Sequence, residues 1–235
     1  MKQGKTLSDI EHNRETILIN DPDIDQAGDD HIFTGFATPL RQDAFKLSDA
    51  EKISTIAFHF REIMQILGLD LADDSLQGTP LRVAKMYVKE IFSGLNPVNK
   101  PDVALFENKY KYDQMLIEKN ITLFSNCEHH FVPIYGKAHV AYIANAHVIG
   151  LSKLNRIVQY FAKRPQVQER LTVQIGRELQ KILGTKDVAV LIDANHMCVS
   201  TRGITDTGSS TVTSFYEGRF LNEETKSEFL NYAGI

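Results

Sequence analysis

Two short segments concentrate the side chains that bind metals: Cys127-Glu128-His129-His130 and His196-Met197-Cys198. Thiolate and neutral imidazole are the ligands zinc prefers. A Cys-x-x-His spacing lets one turn present Cys127 and His130 to a single ion, whereas the adjacent His129 must point elsewhere. Residues two apart in an extended segment share a face, so His196 and Cys198 are expected to project into one space. With Cys127, His130 and Cys198 as donors, Zn2+ would keep an open fourth position, the pattern of a catalytic centre. Water in that position would have its pKa lowered toward about 7. His129 and His196 would then remain as acid and base candidates. By spacing alone, a closed structural site with four donors, or two unrelated buried cysteines, also stays open.

A second group of residues points to an anion and a base. Ser152 opens a helical pattern, yet Lys153 and Arg156 fall in or near its first turn, where the macrodipole disfavours cations. A phosphate bound at the helix N-terminus would account for both; a solvated basic face is the plainer reading. Arg82 and Arg202 could join that cluster. Gln168 and Glu169 begin another helix, where an acid is expected for capping reasons alone. The alternative is that Glu169 accepts two hydrogen bonds from the N1–H and exocyclic amine of guanine, which adenine cannot supply.

The elements that must position these residues are legible in the periodicity. Residues 1–45 are polar and Asp-rich without sustained periodicity, which predicts a flexible N-terminal arm. Ser48 to Glu51 reads as a capping box that starts a helix through Leu67. A second helix is expected with Thr79 as N-cap and Pro80 in its first position, ending at Gly94. These form a helical region over 46–112. From 113 onward the pattern predicts strands at Met115 to Phe124 and Gly136 to Ile143, then helices from Ser152 and after Pro165. Strands at Val188 to Asp193 and Ser209 to Tyr216 and a short helix from Glu223 complete it. The fold class is α+β: a ββααββ unit over 113–235, an antiparallel sheet with helices on one face.

Composition narrows the function classes. The chain has 235 residues, 43% apolar and 24% charged, which suits a globular protein. A formal charge of -4 argues against a nucleic acid as partner. The start lacks the apolar core of a secretion signal, and no apolar run exceeds strand length, so a cytoplasmic protein without a membrane span is expected. In a reducing compartment, two cysteines near histidines point to metal or catalysis before a disulfide.

Four ordered motifs carry a family resemblance: the Cys127 to His130 segment, Gly150-Leu151-Ser152-Lys153-Leu154-Asn155-Arg156, Arg164 to Thr172, and His196-Met197-Cys198. Together with Thr79 to Tyr87 upstream, the chain from about 48 to 220 resembles GTP cyclohydrolase I. One position departs: Tyr142-Ile143-Ala144 stands where the family usually reads Tyr-Ile-Pro. The resemblance implies the tunnelling fold, assembled as a homodecamer of two pentamers with active sites between subunits. It implies that Cys127, His130 and Cys198 bind zinc, that His129 protonates the purine imidazole, and that His196 serves later proton transfers. It implies guanine recognition by Gln168 and Glu169, triphosphate binding by Arg82, Lys153, Arg156 and Arg202, and Ser152 beside the sugar. The expected reaction opens the imidazole ring of GTP, releasing formate and giving 7,8-dihydroneopterin triphosphate. The competing expectation is a non-catalytic pterin- or nucleotide-binding module of the same fold with structural zinc.

Overall fold

A computed structural model describes residues 35–235. Residues 1–34, and with them most of the expected arm, lie outside the described residues. The elements are α1 Asp49–Ile66, α2 Thr79–Met86, β1 Leu105–Glu107, β2 Met115–Cys127, β3 Pro133–Ile143 and β4 His147–Ile149. They continue with α3 Leu151–Ala162, β5 Pro165–Gln166, α4 Gln168–Leu183, β6 Val188–His196, α5 Met197–Ser200, β7 Thr211–Tyr216 and α6 Glu223–Ala233.

The capping box forms as read: the Glu51 amide donates to Ser48 Oγ, and the Ser48 amide donates to Glu51 Oε2 at 2.7 Å. The second helix departs from expectation at both ends. Gly78, not Thr79, is its N-cap, and the α-helix stops at Met86. The chain then widens into a π turn, Tyr87–Ile91, and tightens into a 3-10 turn, Ser93–Leu95. The reason is tertiary. The Gly94 amide donates to the Lys163 carbonyl, and a Cβ on Gly94 would stand 2.0 Å from the Tyr160 carbonyl oxygen. Close docking against the end of α3 therefore overrides the helical pattern. The third helix likewise starts one residue before Ser152, with Gly150 as N-cap.

The main sheet has the order β5-β2-β3-β6-β7, antiparallel throughout except that β5 runs parallel to β2. The expected ββααββ unit is present, and this mixed α+β architecture fits the tunnelling fold. Leu154, Ile157, Leu171, Ile175 and Leu179 of α3 and α4 pack with Leu123, Val140, Val190 and Ile192 of the sheet. The two helices of the unit lie on one face, as expected, while the C-terminal segment with α6 covers part of the other. Ala189 and Leu191 join Met115, Ala141 and Ile143 under Phe220 and Phe229 there. A strand apolar at consecutive positions, as β6 is from Val188 to Ile192, must be covered on both faces.

A β-bulge decides which way the metal-binding segment points. Pairing runs Glu118 with Val140 and then Ile121 with Ala138, so β2 carries one extra residue. Before the bulge, odd-numbered Met115 and Ile117 face α6; after it, odd-numbered Ile121, Leu123 and Cys127 face α3 and α4. Since side chains alternate strictly, one inserted residue reverses the face of everything downstream.

Helix α4 lies so close to β7 that a Cβ on Gly176 would meet the Phe215 ring at 2.3 Å. Gly176→Ala should overpack this contact at a cost of about 1–3 kcal/mol, offset by about 1 kcal/mol of helix propensity. A net loss is the expected result of urea denaturation, and Phe215→Leu in the same background should recover part of it. Unchanged stability would show that the ring yields freely.

Candidate metal centre and its surroundings

Cys127 closes β2 and is 5% exposed. The turn after it is held by hydrogen bonds from the Phe131 amide to the Cys127 carbonyl and from the Cys127 amide to the Val132 carbonyl. Phe131 takes a left-handed φ of 56°, unusual for an aromatic residue, and its ring packs edge-on against Phe92. Cys198 arrives on α5, which follows β6, two strands away from β2 in the sheet, and it packs on the same core cluster as Cys127. Ligand atoms of Cys127, His130 and Cys198 lie within 4.8 Å of one another. This is the one group of three or more potential metal donors among the described residues.

The donor chemistry fits a thiophilic dication. Burial, and then the neighbouring Cys127 thiol, raise the Cys198 pKa above its ordinary value. The Cys198 thiol thus resists ionising without a cation, and a bound dication would reverse that cost. Arg202 Nη1 stands 2.7 Å from His130 Nε2, and a guanidinium can only donate, so that ring nitrogen is the acceptor of the pair.

The reasoning that placed His196 and Cys198 on one extended face is corrected. The strand ends at His196 and a helical turn begins at Met197, which swings Cys198 toward Cys127 and leaves His196 facing Gln168. Gln168 is 1% exposed, and its Nε2 donates to the carbonyls of Ile192 and Thr211 and to Thr213 Oγ1. Two carbonyl partners fix the amide orientation, so Oε1 is the atom 2.7 Å from His196 Nε2. That oxygen must accept, which places the His196 proton on Nε2 and leaves Nδ1 as the exchanging nitrogen. Both ends of the Gln168 carboxamide are thus used within the protein. Burial lowers the His196 pKa, and the Glu169 charge partly opposes it. His129 Nδ1 lies 3.8 Å from Cys127 Sγ, its ring edge-on to His130.

Glu169 is exposed between buried Gln168 and Arg170, and no hydrogen bond or ion pair holds its carboxylate among the described residues. Ser152 is exposed in the first turn of α3. The four cations read as a cluster each have different surroundings. Lys153 Nζ donates to the Asp102 carbonyl at 2.7 Å, and Arg82 Nη2 donates to the Ser75 carbonyl and Thr79 Oγ1. Arg156 borders a cleft of about 470 Å³ between α3 and the π turn, which Lys89 and Lys163 also line. Arg202 sits apart at His130.

The residue-type reading missed a pair beside the metal donors. Glu128 lies inside the Cys127 to His130 turn, and Arg170 grips its carboxylate with both terminal nitrogens, at 2.5 and 2.8 Å. Opposite charges in two of the four motifs were the available signal. In the segment read as arm, the Phe36 carbonyl and Thr38 Oγ1 accept from Gln174 Nε2, tying residues 36–38 to α4. Among the described residues no helix is long and apolar enough to cross a membrane.

The family model of GTP cyclohydrolase I matches residues 56–234. GTP cyclohydrolase 1 of Flavobacterium johnsoniae is 60% identical over 216 residues, covering 92% of this chain and 97% of that protein. GTP cyclohydrolase 1 of Escherichia coli is 58% identical over 200 residues, 85% of this chain and 90% of that protein. With a clustered Cys-His-Cys donor set on the expected ββααββ unit, and with similarity of this depth along nearly its whole length, the chain belongs to the GTP cyclohydrolase I family.

Proposed function

We propose that the chain is a zinc-dependent GTP cyclohydrolase I, converting GTP and water to 7,8-dihydroneopterin triphosphate and formate, the first step of pterin and tetrahydrofolate biosynthesis. The observation that carries the reading is the convergence of Cys127, His130 and Cys198 within 4.8 Å, in a chain of this family. Held by Cys127, His130 and Cys198, zinc would supply a Lewis acid that lets water ionise near neutral pH.

The protein's own residues then have distinct tasks. Glu169, with an unoccupied carboxylate immediately before the Arg170 that grips Glu128, accepts from the guanine N1–H and exocyclic amine. His129, beside Cys127, delivers a proton to N7 as water adds at C8. His196 exchanges protons through Nδ1 in the later ring-opening steps, because Gln168 holds its Nε2–H. Gln168, beside Glu169 at the base site, also orients His196. Ser152 stands beside the ribose. Arg82, Lys153, Arg156 and Arg202 hold the triphosphate; no phosphate bond is cleaved, so their task is positioning.

Two features support sites shared between subunits of a homodecamer built from two pentamers. Arg82, Lys153 and Arg202 each have separate partners within one chain, and His130 and Arg202 are exposed beside the buried Cys127. We place residues 46–112 as a helical region and 113–235 as the catalytic domain of an enzyme working in the cytoplasm. The test is incubation of metal-quantified protein with GTP. Formate and a product that becomes fluorescent on oxidation should accumulate together. Zinc-loaded decamer that releases neither would sink the reading.

A further inference from the structure

We propose that Arg170 and Glu128 are a positioning pair that sets the geometry of the metal centre, through the first turn of α4. The inference rests on the reading that Cys127, His130 and Cys198 hold zinc. Arg170 Nη1 and Nη2 meet Glu128 Oε2 and Oε1 as a bidentate fork, with the side chains only 5% and 19% exposed. Such a fork fixes orientation as well as distance.

Local helix chemistry does not ask for this arginine. It lies in the first turn of α4, where a cation opposes the macrodipole, and its Nε is buried with no hydrogen-bond partner among the described residues. Buried ion pairs are weak sources of stability, and setting register is their best-attested use. Here the register concerns the donors. Glu128 sits between Cys127 and His129, and its amide also donates to the Gln166 carbonyl. The turn is thus held by main chain on β5 and by side chain on α4.

Three consecutive residues of α4 tie the centre together. Gln168 holds His196, two residues before Cys198; Glu169 faces outward; Arg170 holds Glu128, one residue after Cys127. One helix start therefore spans both donor-bearing segments, and the Arg170 fork fixes the Cys127–His130 turn relative to Cys198.

The test compares Arg170→Lys and Glu128→Gln with Leu179→Ala, a substitution of a fully buried α4 residue remote from the fork. Each full-length protein is titrated with cobalt(II) against a chelating dye and its visible spectrum recorded. The fork variants should bind cobalt about 10–100-fold more weakly, as loss of outer support around a metal does. Their ligand-field bands should shift, and kcat for GTP should fall more than KM changes. Leu179→Ala should lower the melting temperature while leaving cobalt affinity and bands at wild-type values. Glu128→Gln keeps an acceptor and similar volume should Arg170→Lys fail to fold. Wild-type affinity and spectrum in the fork variants, or an equal loss in Leu179→Ala, would overturn the proposal. A wild-type protein with no thiolate-to-cobalt band would overturn the metal reading instead.

Discussion

Cys198→Ser should lose its metal and its activity while keeping its fold and assembly. A serine hydroxyl is a poor zinc donor, so two protein ligands would remain where three converge. Several kcal/mol of transition-state stabilisation go with the ion, and each 1.36 kcal/mol is tenfold in rate, so a loss of about 10³-fold or more is expected. The fold should survive because Cys198 lies at the edge of the core, on a four-residue helical turn, while the large clusters around Leu123, Leu171 and Ile192 are untouched. Metal analysis, size-exclusion chromatography and the GTP assay on one preparation check all three statements. A metal-replete, active Cys198→Ser protein would remove Cys198 from the centre. A protein that neither folds nor assembles would show that the ion is structural.

Glu169→Gln should cut kcat/KM for GTP by about 10²–10⁴-fold while leaving zinc content and stability near wild type. Two charge-assisted hydrogen bonds at about 1.5–3 kcal/mol each set that range. The substitution replaces an acceptor-only carboxylate with an amide, one end of which must point a donor at a donor. Stability should hardly change, because Glu169 is exposed and makes no hydrogen bond or ion pair among the described residues. The His196 pKa should fall further, since the Glu169 charge opposes the lowering that burial causes. An acid limb set by His196 would then move to lower pH in the variant. Unchanged kinetics with GTP would take Glu169 out of base recognition.

Much of this molecule follows from local pattern. The Ser48 capping box, the α4 stop at left-handed Gly184 and the apolar run of β6 are each properties of a few neighbouring residues, so they appear in the sequence as they do in the fold. The metal-donor types were equally legible, because a thiol and an imidazole three apart on a turn need little else to meet one ion.

What the sequence determined by itself was the inventory: which side chains could bind metal, read a base or hold phosphate, and the family pattern they compose. Their arrangement was decided by contacts between distant segments. The π turn at Tyr87 exists because Gly94 docks on α3, and Gln168 turns inward because β6 and β7 offer it carbonyls. Arg170 finds Glu128 only because α4 crosses the end of β2. The bulge before Ile121 is the clearest case. Periodicity identifies β2 as a strand, but a single inserted residue, visible only through its pairing with β3, turns Cys127 to the face where Cys198 meets it.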